Sequence, residues 1–96
     1  NVYCAEIEQA LYLHPAVLEA VVVGVGNAEW GEEVRAVVSL RNGAVTDASS
    51  LAAHLRTHLA GYKIPKQFAF LNAAHLPRSG AGKIVKARLK QQLGWD

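Results

Sequence analysis

The sequence has only one cysteine, Cys4, and no methionine among its 96 residues. Because one cysteine cannot form an internal disulfide, the sequence predicts a cytoplasmic protein rather than a secreted disulfide scaffold. A chain that opens at Asn1 without any methionine is expected to be a piece of a longer protein. The longest apolar run, Ala20 to Val25, is far too short to span a bilayer, and the acidic first residues are unlike a signal peptide. We therefore expect neither a membrane span nor a signal peptide in this piece.

The composition and the distribution of charge limit the classes of function that the chain can have. Ninety-six residues with 51% hydrophobic content predict one folded domain and argue against disorder. Residues 1–50 carry seven acids against two bases, whereas residues 51–96 carry eight bases against one acid. This split is typical of a second half that binds an anion, such as a phosphate, a carboxylate or a nucleic acid. A solvated rim of charges explains it equally well.

The first half of the chain predicts one helix followed by two strands. Residues 5–13 have apolar positions at helical spacing and acids near the start, where a helix dipole favours them. Val17 to Val25 is a nearly continuous β-branched run, which predicts a strand covered on both faces. Val34 to Leu40 alternates apolar and polar residues, which predicts a half-buried strand antiparallel to the previous one. An Asn42-Gly43 turn ends it.

The second half predicts a helix, a short strand and a final helix. Asp47 is a plausible N-cap for a helix with a leucine every four residues, and Gly61 suits its C-terminal cap. Residues 66–71 predict a strand, and a last helix is expected from about Lys83. Together these elements predict a small α+β domain with a sheet of about three strands packed by helices, in the order α-β-β-α-β-α.

The most informative segment for chemistry runs from Pro77 to Lys83. Its glycines, Gly80 and Gly82, allow the backbone to approach a ligand, and Lys83 brings a positive charge to the same place. The segment is not a P-loop, because that motif needs a glycine where Pro77 stands and a serine or threonine where Ile84 stands. Taken alone, it equally fits a flexible turn with a solvated lysine.

Other candidate residues carry weaker signals. His54 and His58 lie one helical turn apart, which is metal-ligand spacing, but no cysteine or acid cluster accompanies them, so we expect structural roles and no metal site. Cys4 has no basic neighbour in sequence that would lower its pKa, which predicts an inert, partly buried thiol. Trp30 is interpreted as a packing residue of the core or its edge.

Four stretches of the chain, in order, resemble the C-terminal domain of the adenylate-forming enzymes, which include acyl-CoA synthetases, luciferases and peptide-synthetase adenylation domains. They span nearly the whole chain, and their order and spacing make a chance match implausible. Two departures are Cys4, where the family usually has proline, and Gly26-Asn27, where Pro-Asp is common. The stretches are Asn1 to Glu8 (similar to ENVYPxEIE), His14 to Val25 (HPxVxxAxVVGxPD), Trp30 to Val38 (WGExVxAxV), and Gly61 to Pro65 with Leu76 to Ile84 (GYKxP and LPRTxxGKI).

The resemblance implies a mobile lid over a larger N-terminal domain that is absent from this piece. It also implies the reaction: a carboxylate attacks MgATP to give an acyl-adenylate and pyrophosphate, and a thiol, usually that of coenzyme A, then takes the acyl group. By position, Lys83 is the catalytic lysine that bridges the carboxylate and the phosphate oxygens. The resemblance further implies a set of cofactor contacts: Gly31 and the backbone of Asn1 beside the pantetheine arm, Gly80 and Gly82 in the loop, and Arg35, Lys63 or Arg78 on the phosphates of coenzyme A.

Three alternatives remain open on the sequence. The chain also fits the lid of a peptide-synthetase adenylation domain, although Glu29 to Val34 and Leu59 to Lys66 are more similar to acyl-CoA synthetases. A nucleic-acid-binding module using the basic segment Lys83 to Lys90 lacks aromatic residues among its bases, and no common nucleic-acid motif is present. A stand-alone interaction domain is disfavoured by the absence of methionine. We therefore expect carboxylic acid, ATP and coenzyme A as substrates, and no nucleic acid.

Overall fold

The computed structural model describes residues 3–29 and 31–96, so Asn1, Val2 and Trp30 lie outside the described part. The predicted α+β fold and element order are confirmed. No helix among the described residues is long and apolar enough to cross a membrane. The elements are α1 (Cys4–Tyr12), β1 (Val17–Asn27), β2 (Gly31–Leu40), α2 (Ala48–Arg56), β3 (Gln67–Phe70) and α3 (Lys86–Leu93), with 3-10 turns at Gly61–Lys63 and Ala73–His75.

The sheet has three strands, and β2 lies in its centre. β1 and β2 are antiparallel, as predicted, with Val22 opposite Ala36. β2 and β3 are parallel, with Ala36 beside Phe68. A parallel pair needs a long crossover connection, and here the segment that contains α2 supplies it. Because β2 is the central strand, β1 lies at one edge of the sheet, where side chains at the two ends of the loop described below contact it.

Apolar side chains cover both faces of the sheet. On one face, α1 and α2 pack against Val22, Ala36 and Val38 through buried residues that include Ile7, Leu11, Leu51 and Leu55. On the other face, Val21, Val23 and Val37 pack against Leu76, Leu89 and Trp95. The prediction that β1 is covered on both faces is thus confirmed, since successive strand residues point to opposite faces.

The prediction that β2 is half-buried is wrong for the second half of the strand. Val37 and Ser39 lie on the face that was expected to be polar, and each is only 1% exposed. Val37 is covered by the cluster that contains Leu89 and Trp95, both close to the C-terminus. Ser39 is tolerated there because its hydroxyl donates a hydrogen bond to the carbonyl of Leu71 at 2.8 Å.

Two helix boundaries differ from the predictions. Asp47 caps α2 as expected, accepting from Ser50 N–H at 2.8 Å, but the helix ends at Arg56, and Gly61 begins a 3-10 turn instead of capping it. The hydroxyl of Thr57 donates to a carbonyl of the last turn at 2.7 Å and helps to end the helix. α3 begins at Lys86 and not near Lys83, because the preceding residues belong to a hydrogen-bonded loop.

Candidate functional site

Residues 77–85 form a closed loop, which we call the lysine loop because it carries Lys83. Ser79 N–H donates to the Lys83 carbonyl at 2.8 Å, and Val85 N–H donates to the Pro77 carbonyl at 2.8 Å. These two bonds join the arms of the loop in antiparallel fashion. The segment is therefore a narrow hairpin, more ordered than the flexible turn that its composition alone permits.

The tip of the lysine loop is organised around Ser79. Gly82 N–H donates to the Ser79 carbonyl at 2.9 Å, and Lys83 N–H donates to the Ser79 hydroxyl at 3.3 Å. Gly82 has a φ of +85°, a conformation that favours glycine, whereas Gly80 does not have a positive φ. The Lys83 residue is exposed, and its ammonium makes no hydrogen bond or ion pair with another residue in the described ranges. The loop thus presents an unpaired cation to the outside of the domain.

Charged side chains tie both ends of the lysine loop to neighbouring elements. At the first end, the Arg78 guanidinium donates to the carboxylate of Glu19 on β1, and this hydrogen bond raises the pKa of Arg78 above its ordinary value. Just after the loop, the Lys86 ammonium donates to the Val22 carbonyl at 2.8 Å and lies 3.2 Å from the Glu8 carboxylate. The loop is therefore anchored on β1 from both sides.

The sequence model of one protein family, described as the AMP-binding enzyme C-terminal domain, matches residues 6–83. This chain belongs to the AMP-binding enzyme C-terminal domain family. The match begins within the first of the four stretches and ends at Lys83, and the homologues of this C-terminal domain are acyl-CoA synthetases and CoA ligases.

Two curated relatives of this C-terminal domain illustrate the family. A feruloyl-CoA synthase from Amycolatopsis sp is 44% identical over 94 residues, which are 98% of this chain and 19% of that protein. A long-chain-fatty-acid–CoA ligase from Bacillus subtilis (strain 168) is 44% identical over 92 residues, which are 96% of this chain and 16% of that protein. The chain therefore spans less than a fifth of the length of these relatives.

A solved structure supports the same assignment at the level of the fold. Apo MatB from Rhodopseudomonas palustris superposes on the C-terminal domain with a TM-score of 0.87 and 39% sequence identity. The alignment covers 96% of this chain and 18% of MatB. The small α+β arrangement described above is thus the fold of this family.

The other predicted site residues of this C-terminal domain belong to elements other than the lysine loop or lie outside the described residues. Gly31 is exposed at the start of β2 with a φ of +81°, and a Cβ there would meet nothing within 4 Å. Asn1 lies outside the described part. Lys63 is already engaged, since its ammonium lies 2.8 Å from the Glu6 carboxylate, which raises the pKa of Lys63. Arg35 donates to the Glu33 carboxylate at 2.8 Å.

An open groove of about 200 Å³ joins three of the family stretches, since Tyr3 of the first stretch also lines it. It brings the start of β2, with Glu32 and Glu33, next to Tyr62 in the GYKxP stretch. The Lys63 ammonium lies 5.0 Å from the ring centre of Tyr3 and 5.7 Å from that of Tyr62, both within cation–π range. The groove therefore lies between the start of β2 and the GYKxP stretch, and Lys83 is not among the residues that line it.

Three histidines lie together between α1 and α2. The ring centres of His14 and His54 are 5.0 Å apart, and those of His54 and His58 are 4.7 Å apart. His54 Nε2 donates to the Ala10 carbonyl at 2.8 Å, which fastens α2 to α1. Within residues 3–29 and 31–96, no group of three His, Cys, Asp or Glu residues is arranged to hold a metal ion. This geometry gives His54 a structural contact, and Cys4 is buried, as expected.

Sequence reasoning did not identify Glu8, Glu19 and Lys86 as residues of this site. Each is far in sequence from its partner, with 59 residues separating Arg78 from Glu19 and 64 separating Lys86 from Val22. The only signal was the accumulation of acids in the first half and bases in the second half. That signal indicates attraction between the halves but not which acid pairs with which base.

Proposed function

We propose that the chain is the C-terminal catalytic lid of an AMP-forming acid–thiol ligase, most similar to the acyl-CoA synthetases. In the first half-reaction, a carboxylate oxygen attacks the α-phosphorus of ATP, and the bond to pyrophosphate breaks. In the second, a coenzyme A thiol attacks the acyl carbonyl carbon, and AMP leaves. Because the chain spans less than a fifth of its relatives, the acyl pocket and most of the ATP site would belong to a larger domain, and this domain alone would be inert.

The observation that carries the proposal is the unpaired ammonium of Lys83 on a hydrogen-bonded loop. Negative charge accumulates as the carboxylate approaches the phosphate, and a positioned cation both orients the carboxylate and offsets the repulsion. One unit charge at about 4 Å, with an effective dielectric near 20, contributes roughly 4 kcal/mol. If that interaction acts only in the transition state, it corresponds to about a thousandfold in rate.

The second half-reaction would use a different part of the domain. Gly31 lacks a side chain and lies at an exposed strand end, which suits close approach of the pantetheine arm. Lys63 and Arg78 remain candidates for the phosphates of coenzyme A, although a phosphate would have to compete with Glu6 and Glu19 for them. The relatives named as CoA synthase and CoA ligase support coenzyme A as acceptor, and a fatty acid–[acyl-carrier-protein] ligase from Streptomyces coeruleorubidus, 40% identical over 96 residues, keeps a carrier protein as the alternative acceptor.

The remaining partners follow from the same proposal. Since the described residues offer no metal-binding group of three His, Cys, Asp or Glu side chains, Mg²⁺ would enter with ATP on the larger domain. The larger domain is then the physical partner of this chain, and the lone cysteine favours a cytoplasmic enzyme. The carboxylic acid is selected outside this chain.

The test is Lys83→Ala in the full-length enzyme, with both half-reactions measured separately. We expect the rate of acyl-adenylate formation to fall by about a thousandfold. This rate is measured by ATP–pyrophosphate exchange over a panel of carboxylic acids. Thioester formation from supplied acyl-adenylate should be largely retained. Arg88→Ala is the matched control, because it removes an exposed positive charge from α3, outside the lysine loop. Equal loss of both half-reactions in Lys83→Ala would contradict the assignment.

A further inference from the structure

The position of the Lys83 backbone depends on contacts that reach outside the lysine loop. The hydrogen bonds within the loop close the hairpin but do not connect it to the sheet. Ile84 packs against the apolar cluster that contains Val21 and Val23, and the polar connections to β1 are made by side chains at the two ends of the loop, Arg78 and Lys86. A loop that carries a catalytic cation must be held in place, because a misplacement of about 1 Å costs up to roughly a hundredfold in rate.

Arg78 touches both the sheet and the residue before Lys83. Its NH2 group donates to Glu19 on β1, and its NH1 group lies 3.5 Å from the carbonyl of Gly82. The guanidinium is planar and presents several donors in fixed directions, so one side chain is able to bridge two acceptors. The side chains of Arg78 and Glu19 are 35% and 24% exposed, so the pair is partly shielded from solvent.

The geometry points to Arg78 and Glu19 as a positioning pair that holds the backbone of Gly82 and Lys83 on β1. For the catalytic consequence, this inference rests on the proposed role of Lys83. It gives Arg78 a different task from binding the phosphates of coenzyme A, because its donors are directed to Glu19, to the Gly82 carbonyl of the loop and to the Ala73 carbonyl just before it. The contribution of such a partly exposed pair to global stability is small, and its effect is on loop geometry.

Lys86 provides a second anchor that keeps the domain folded when the first is removed. As an edge strand, β1 exposes backbone groups that the sheet does not pair. At Val22 the N–H donates to Glu8 at 2.8 Å and the carbonyl accepts from Lys86 at 2.8 Å. These bonds fix the start of α3 to the sheet independently of Arg78. Loss of the Arg78–Glu19 pair is therefore expected to loosen one arm of the loop and not to unfold it.

The experiment compares Arg78→Met, Glu19→Gln and the exchanged double variant Glu19→Arg/Arg78→Glu in the full-length enzyme. We expect each single variant to lower kcat of acyl-adenylate formation roughly 10- to 100-fold, with KM for ATP and coenzyme A changed less than about twofold. The exchanged pair restores the ion pair with β1 but not the contact with the Gly82 carbonyl, to which a carboxylate cannot donate, so we expect it to recover only part of that loss. If Glu19→Gln behaves like wild type while Arg78→Met raises KM for coenzyme A, Arg78 is a ligand contact and the inference is wrong.

Amide hydrogen exchange at Gly82 and Lys83 separates this inference from the proposed function. Both amides are hydrogen-bonded to Ser79, and we expect their protection to fall in both single variants and to return in part in the exchanged pair. Lys83→Ala, measured in parallel, tests the catalytic role of the lysine. If Lys83→Ala is fully active while protection still follows the pair, the proposed function fails and the positioning pair stands. If Lys83→Ala is inactive and the pair variants leave protection and kcat unchanged, only the positioning pair is refuted.

Discussion

Replacing Gly82 by alanine is the most direct test of whether loop conformation matters for adenylation. Gly82 immediately precedes Lys83 and has a φ of +85°, and a Cβ built on it meets nothing within 4 Å. The substitution therefore introduces no clash, and its effect is confined to the backbone conformation that an L-residue disfavours. The lysine loop then shifts toward conformations in which the Gly82 N–H no longer reaches the Ser79 carbonyl.

The magnitude follows from the cost of the left-handed region. Placing a residue with a side chain there costs about 1–2 kcal/mol relative to glycine. A penalty of that size changes a two-state population by a factor of roughly 5 to 30. If the non-native loop conformation comes to outnumber the native one by that factor, the rate of acyl-adenylate formation falls by about the same factor. The reason is that only the native loop presents Lys83 correctly.

The assay is kcat of acyl-adenylate formation in the full-length enzyme, with Gly43→Ala as the matched control. Gly43 has a φ of +78°, is exposed, and also has no atom within 4 Å of a built Cβ, but it lies in the Asn42-Gly43 turn between β2 and α2. Gly43→Ala thus carries the same backbone strain and should lower thermal stability without slowing adenylation. The reasoning fails if Gly82→Ala retains full activity, or if the two variants slow adenylation equally.

Two further predictions concern residues outside the lysine loop. Asp47 accepts a hydrogen bond from Ser50 N–H, which lowers the pKa of Asp47 in the folded state. The contribution of this carboxylate to the free energy of unfolding is therefore complete above the unfolded pKa of about 3.9 and is lost as the pH falls through the folded pKa. Asp47→Asn keeps a capping oxygen but does not titrate, so the urea midpoint of unfolding should decline less steeply below about pH 4 than in the wild type. An unchanged decline of the midpoint below that pH would contradict this prediction. If Lys63 contacts a phosphate of coenzyme A in competition with Glu6, Lys63→Met should raise KM for coenzyme A, whereas Glu6→Gln, which frees the ammonium, should not raise it. An equal change in both variants would instead indicate that the ion pair is purely structural.

The fold was largely predictable from local sequence, because its elements are encoded by short patterns. The β-branched run after Val17 and the cap at Asp47 each depend on neighbouring residues, and both predictions are confirmed. The errors lie where distant segments decide the outcome. The second face of β2 is buried by residues such as Leu89 and Trp95, more than 50 positions later, which alternation within the strand does not reveal.

The candidate site was only partly predictable for the same reason. The catalytic role of Lys83 was inferred from a short motif and stays a prediction, while the structure shows that the residue is exposed. The start of α3 was misplaced because helical spacing from Lys83 onward looked continuous, while the hydrogen bond from Val85 to Pro77 keeps the preceding residues in the loop. Hydrogen bonds of this kind compete with the local helix propensity, and the spacing of apolar residues in the sequence does not indicate them.

The uneven charge of the two halves has a structural explanation that narrows the search for an anion site. Three ion pairs each join an acid of the first half to a base of the second half: Glu6 with Lys63, Glu8 with Lys86, and Glu19 with Arg78. A cation already paired with a carboxylate attracts a phosphate less strongly, so a phosphate that binds one of these three bases has to displace its carboxylate partner. In the described part of the chain, the second-half bases without an ion pair are Arg56, Lys66, Lys83, Arg88 and Lys90. Of these, Lys83 alone lies on the lysine loop, so the pattern of pairing, more than basic composition, makes it the group best placed to meet a substrate anion.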